Sequence, residues 1–272
     1  MEFIGDKTIA ALGVLAVLWS LEGFLPFFHE FNERGKRYPH AGRNLAVGAF
    51  NALVMGALFS GMVVFAAARA RGAGLLPRLG LSPWAEAALA ILLFDAWMYL
   101  WHRLNHVIPF LWRFHRVHHS DPRMDVTSGV RFHPGEIALS FMARVLVVPL
   151  LGMSLWQLAL YESILLPVIL FHHSNVAIPG RVDAVLRLVI VSPNMHRVHH
   201  SDRQLETDSN YASIFSWWDR FLGSYRWRED CHSIRYGLRD FTDSRWHTLK
   251  GILKTPLYNG DRDSAGFPRF KV

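Results

Sequence analysis

Cysteine is almost missing from this chain. Cys231 is the single thiol in 272 residues, so an intrachain disulfide is excluded, and so is a thiolate-rich metal site. Charge is sparse as well: 19% of residues are Asp, Glu, Lys or Arg, against about 25% in an average soluble domain. Acid is the scarcer sign, 22 acidic to 29 basic residues, for a formal net charge of +7. A His-Glu-x-x-His motif is lacking, which argues against the familiar helical zinc-hydrolase site. The opening MEFIGDKT has no cationic segment and no small-residue cleavage site follows it, so no secretory leader is expected.

What the chain has in excess is long apolar runs. Hydrophobic residues make up 51% of it and its mean hydropathy is +0.15. The basic excess therefore suits anionic lipid headgroups better than nucleic acid, and no nucleic-acid partner is expected. Residues 8–28, 45–70 and 84–101 each read as a membrane helix, long enough at about 1.5 Å per residue. Residues 137–171 are predominantly apolar with Gly152 near the middle. That reads as a hairpin of two membrane helices, 137–152 and 154–172. Polar residues 29–44, turn-rich residues 69–83 and residues 120–136 read as loops. Arg181 to Val191 is short and amphipathic and suits an interfacial position. The expected fold is an all-α integral membrane bundle of four to five spans, one domain over 1–272. Residues 102–136 and 173–272 are expected to form a cytosolic, histidine-rich helical cap. Arg34, Lys36, Arg37 and Arg43 place the histidine side in the cytoplasm by the positive-inside rule.

The histidines carry the chemistry. There are fifteen, and they are patterned. His102 and His106 are four apart; His115, His118 and His119 form His-x-x-His-His. FHRVHHS at 114–120 returns as MHRVHHS at 195–201, with His196, His199 and His200. Residues three and four apart share a helix face, so each group aims its imidazoles at one point. A lone histidine is usually a surface or core residue, but eight at ligand spacing are not explained that way. Neutral imidazole suits iron, zinc, copper and nickel. Eight or more rings exceed the positions on one ion, so two metals are expected, and two redox-active irons beside a lipid-filled pocket fit better than structural zinc. His133 in RFHPGE and His173 in FHHSN, at the ends of apolar segments, are expected as further ligands, with His172 the neighbouring alternative to His173. His29, His40, His232 and His247 have no partner at ligand spacing and read as ordinary side chains.

Asp95, Tyr99, His102 and His106 follow at intervals of four, three and four and share a helix face. A carboxylate inside an apolar span is costly unless it has a partner. Asp95, with Tyr99, is expected to support the ligands from behind, Asp95 through an imidazole N–H. Glu136, Asp202, Glu206 and Asp208 are further carboxylate candidates.

Taken together, these motifs resemble the fatty acid hydroxylase superfamily, also called the sterol desaturase family, of integral-membrane di-iron oxygenases. The likeness runs from Asp95 to Tyr225. It rests on D-x-x-x-Y-x-x-H-R-x-x-H at 95–106, LWRFHRVHHS at 111–120, FHP at 132–134, FHHSN at 171–175, NMHRVHHS at 194–201 and ETDSNYASIFSWWDRFLGSY at 206–225. The resemblance implies a four-helix membrane core under a cytosolic cluster holding two irons. Its ligands would be His102, His106, His115, His118, His119, His173, His196, His199 and His200, with His133 added. His172 stands one residue before the family's usual position. The implied reaction is O2-dependent hydroxylation, or desaturation, of an unactivated C–H position of a lipid. HPGE at 133–136 resembles the haem-binding motif of b-type cytochrome domains, but no domain-sized segment surrounds it, so a separate reductase, ferredoxin or cytochrome is expected to supply electrons. Zinc could replace iron in a purified sample. A membrane zinc hydrolase would act without O2; a metal transporter or sensor would carry histidines inside several spans.

Overall fold

The computed structural model describes residues 2–69 and 72–259. Ala70, Arg71 and residues 260–272, which the sequence assigns to a span end, a connection and the cap, lie outside them. Every regular element among the described residues is helical; β structure is limited to isolated bridges such as Pro26 to Val176 and Ile190 to Phe215. Among the described residues, four helical stretches are long and apolar enough to cross a membrane: Gly35–Arg69, Pro83–Val107, Pro134–Leu151 and Leu155–His173. A fifth apolar segment, Ile9–Phe24, is shorter. Leu53, Leu58, Phe65, Leu146 and Leu150 point outward from these helices and are exposed, the arrangement for side chains solvated by lipid.

The sequence explains the boundaries. Helix α1 (Glu2–Phe24) is followed by α2 (Arg34–Phe50), a π-turn at Asn51–Met55, and α3 (Gly56–Arg69). Helix α4 (Pro83–Val107) begins with proline at its first position, where the missing N–H costs nothing. It ends because Pro109 pushes Ile108 into extended geometry. That same proline opens α5 (Pro109–His119), so the chain bends between the first two histidine groups and they face each other. Helix α6 (Pro134–Leu151) stops at Gly152, which is left-handed at φ 75°. Ser154 and Gln157 form a capping box that starts α7 (Leu155–His173). The expected hairpin is therefore present. Gly152 also meets Gly74 backbone to backbone, where a Cβ on either residue would overlap the other. Two short helices, α8 (Gly180–Leu186) and α9 (Pro193–His199), follow.

Residues 34–44 depart from expectation. They read as loop but form the first turns of α2. The reason is a polar face whose partners are far away in sequence. His40, Asn44 and Asn51 face the segment 121–132: His40 meets Asp121 and Asp125, Asn44 donates to Thr127, and Asn51 donates to the Phe132 carbonyl at 2.8 Å. A helix with a buried polar stripe looks like a loop when only apolar periodicity is read. The span 84–101 is also longer than expected and carries His102 and His106 in its last turns.

Candidate metal centre

Four chain segments bring histidines to one end of the bundle: the last turns of α4, helix α5, the end of α7, and α9 with His200 after it. Two groups form. His102, His106, His115, His119 and His199 make one; His118, His173, His196 and His200 make the other, and within each the ligand atoms lie within 4.8 Å of one another. The groups share a boundary. The rings of His119 and His200 stack at 4.5 Å, and His118 and His200 are 4.6 Å apart.

Hydrogen bonds fix which ring nitrogens carry protons. The Nδ1 of His102 is 2.8 Å from the Tyr211 carbonyl, and that of His199 is 2.6 Å from the Ser209 carbonyl. Carbonyl oxygens only accept, so both Nδ1 atoms donate and both Nε2 atoms keep a lone pair. His115 donates from Nδ1 to Glu136 at 2.7 Å, and His173 donates to the Ile169 carbonyl at 2.8 Å. The free Nε2 atoms then face each other: His102 to His199 at 3.0 Å and His102 to His115 at 3.2 Å. In the second group His173 Nε2 is 3.0 Å from both His118 Nε2 and His196 Nε2. In the first group, where Nδ1 of His102, His115 and His199 all donate, lone pairs at this range repel unless a cation lies between them. The remaining rings fit the same demand. Both nitrogens of His106 and His119 are buried without a hydrogen-bond partner among the described residues. An all-imidazole donor set with Nδ1 held from behind is how proteins prepare Nε2 for a transition metal.

Burial disfavours the charged form of five of the rings. It holds His118, His119, His196 and His200 well below the ordinary imidazole value of 6.5 and His199 down to about 3. In the metal-free chain this sets a pH dependence. The unfolded chain takes up protons below pH 6.5 while the folded chain resists, so stability is full above that pH and is lost as pH falls toward 3. Metal-free protein is therefore expected to melt at progressively lower temperature from about pH 6.5 downward, and bound metal to offset part of the loss. A melting temperature flat between pH 7 and pH 4.5 would contradict this.

Three expected site residues are placed differently. His133 lies outside both groups. Its Nδ1 accepts from Gly135 N–H as the cap of α6, and its Nε2 is 3.3 Å from the Leu253 carbonyl, to which it donates. Asp95 is fully buried but meets no imidazole. It accepts from the Tyr161 hydroxyl at 2.8 Å, the Trp218 indole at 2.9 Å and the Phe215 N–H at 3.1 Å. Tyr99 pairs its hydroxyl with Ser224 at 2.7 Å. Both residues thus anchor the 211–224 segment to α4. Asp219 completes the anchor by accepting from Tyr211 N–H and Ala212 N–H at 2.7 and 3.0 Å. The outcome is a fixed Tyr211 carbonyl behind His102. His172 packs its ring 4.0 Å from His196, outside the second group. Of the carboxylate candidates, Glu136 reaches a ligand ring, Asp208 lies 3.4 Å from His106 Nδ1, and Glu206 pairs with Arg228. Backbone carbonyls of Ser209, Tyr211 and Ile169 leave no side-chain signature, which is why residue patterns missed them.

Residues 87–224 match the sequence profile of the fatty acid hydroxylase family, and every member of both histidine groups lies inside that range. The chain belongs to this family. Among curated proteins of the family's kind, it is 30% identical to the ornithine lipid hydroxylase OlsE of Rhizobium tropici over 141 residues, 52% of this chain and 41% of that protein. It is 30% identical to the alkylglycerol monooxygenase of Danio rerio over 159 residues, 57% of this chain and 34% of that one. It is 28% identical to the cholesterol 25-hydroxylase of Rattus norvegicus over 171 residues, 58% and 53% of the two chains. The matched part thus spans about a third to a half of these relatives. No solved structure matches.

Proposed function

We propose that this chain is a membrane-bound di-iron oxygenase acting on an unactivated C–H position in the chain or ring system of a lipid. The observation that carries the reading is the convergence of nine imidazoles, eight buried and His102 partly buried, on two common points. His102, His106, His115, His119 and His199 would hold one iron, and His118, His173, His196 and His200 the other. Iron in such a set supplies O2 activation when two external electrons are delivered.

The chain's own residues do the rest. Glu136 and the Tyr211, Ser209 and Ile169 carbonyls hold the ligand rings in one tautomer. Burial of the rings excludes bulk water from the reacting centre. The apolar helices that end at the histidines offer a lipid a dry route to it. The balance for hydroxylation is R–H plus O2, two electrons and two protons giving R–OH and water. Desaturation uses the same inputs, removes two hydrogens and gives two waters. The electrons come from a separate reductase, ferredoxin or b-type cytochrome. The side facing the cytoplasm is the histidine side, because Lys36, Arg37 and Arg43 cluster at the start of α2 on the connection from α1.

Lipid mass spectrometry of cells with and without the chain, grown under isotopically heavy O2, tests the reading. The expected product gains one oxygen atom carrying the label, or loses two hydrogens. A product that forms equally well without O2 would support a zinc hydrolase and overturn the proposal. Zinc recovered with the purified protein would not, since imidazole accepts it as readily.

A further inference from the structure

Helix α1 lies outside the family-matched range of 87–224, yet it reaches the histidine-bearing segments. Near its end Glu22 is buried, 1% exposed. One of its oxygens, Oε1, accepts two backbone N–H groups, from Val126 and from Asn175, each at 2.7 Å. Its other oxygen lies 3.3 Å from the Arg37 guanidinium. The two amides belong to different parts of the chain. Val126 lies in the segment that leaves α5 directly after His118 and His119. Asn175 lies two residues beyond His173. These are the segments whose ligands meet in the second group, with His118 and His173 Nε2 atoms 3.0 Å apart.

The grip on 174–177 is closed from both sides. The Asn175 side chain accepts from Phe28 N–H and donates to the Phe28 carbonyl, at 2.9 and 3.0 Å. Phe27 N–H donates to the Asn175 carbonyl and Ala177 N–H to the Leu25 carbonyl. From the other side Arg197, between His196 and His199, donates to the Ser174 and Val176 carbonyls at 3.0 Å each. A buried carboxyl oxygen that accepts two backbone amides from separate segments is a directional tie between them. An amide left without it would be buried and unsatisfied.

We propose that Glu22 is a positioning residue of the second metal site. Its Oε1 sets the spacing between the two chain segments that carry His118 and His173. The inference rests on the di-iron reading and extends the centre to a helix outside the matched family region. It assigns an unequal effect to the two sites. The five-histidine group draws its ligands from α4, α5 and α9 and receives from Glu22 only the indirect support of the α5 segment.

The test is metal content per folded chain, by elemental analysis after size exclusion, with release to a chelator followed in time. Glu22→Ala is expected to hold about one iron where the native chain holds two, with the second released at least about tenfold faster, the lower end of what lost ligand-orienting partners cost. Glu22→Gln is expected to keep both, since an amide oxygen still accepts two N–H groups and Arg37 retains the Trp19 carbonyl and ring. If Glu22→Ala is recovered unfolded, Glu22→Asp carries the test: one methylene shorter, it is expected to lose the second iron in part. Two irons held in E22A with native release kinetics would overturn the proposal. So would loss of both irons together, or an E22Q variant as poor as E22A. A native chain that takes up no iron would sink the metal reading itself, a result separable from these.

Discussion

His199→Ala is expected to abolish the proposed turnover on lipid. His199 sits at the crossing of the first group, its Nε2 3.0 Å from that of His102 and its ring 4.7 Å from His119. Deleting it takes one donor from five and leaves the Ser209 carbonyl without its N–H. Losing a partner that merely orients a ligand costs about 10–100-fold in metal affinity or activity. Losing the ligand should exceed that, so activity is expected to fall more than about 100-fold, with iron dropping toward one per chain. The apolar helices are untouched, and the helical content of the purified variant should match the native chain. His133→Ala is the control. That side chain caps α6 and contributes no donor to either group, so iron content and turnover are expected to hold. Native activity in H199A would place the chemistry elsewhere.

His40→Ala is expected to have the largest effect on stability. With a carboxylate on each ring nitrogen, Asp125 at Nδ1 and Asp121 at Nε2, both nitrogens donate and the ring is positively charged. All three groups are buried. Removing the cation from such a set costs about 3–5 kcal/mol, because uncompensated charge stays behind in a dry site. For a chain of this size that is a fall in melting temperature on the order of 10 °C. Arg131 stays near Asp121, at 4.0 Å, so the double variant His40→Ala, Asp125→Asn should recover part of the loss. Asp121 follows His119 by two residues, and Arg131 donates to the Val117 carbonyl at 3.2 Å. Loosening this cluster therefore loosens α5, and iron retention should fall along with stability. A melting temperature within a degree or two of native would show that the charges are solvated and the argument wrong.

The convergence of the histidines was legible because helix geometry leaves few ways to aim several imidazoles at one point. His102 and His106 at four apart, and the two His-x-x-His-His copies, could be read without a structure. The helical hairpin was legible for a similar reason: a largely apolar stretch of thirty-five residues with a central glycine has one compact solution. What could not be read are partners distant in sequence. Asp95 looked like a support for an imidazole because His102 shares its helix face. Its partners are instead Tyr161, Phe215 and Trp218, and only the fold brings them there. His40 and residues 34–44 looked bland because their partners, Asp121 and Asp125, lie some eighty residues on. His133 sat near ligands in sequence, but proline at 134 made it a helix cap.

Anaerobic titration of the metal-free chain with Fe(II), followed by Mössbauer spectroscopy, addresses the convergence of the imidazoles most directly. Uptake is expected to saturate at two irons per chain, both in nitrogen-rich coordination and both consumed as Fe(II) when O2 and lipid are admitted. Saturation at one iron or none in a folded chain, or two irons that ignore O2, would contradict the account.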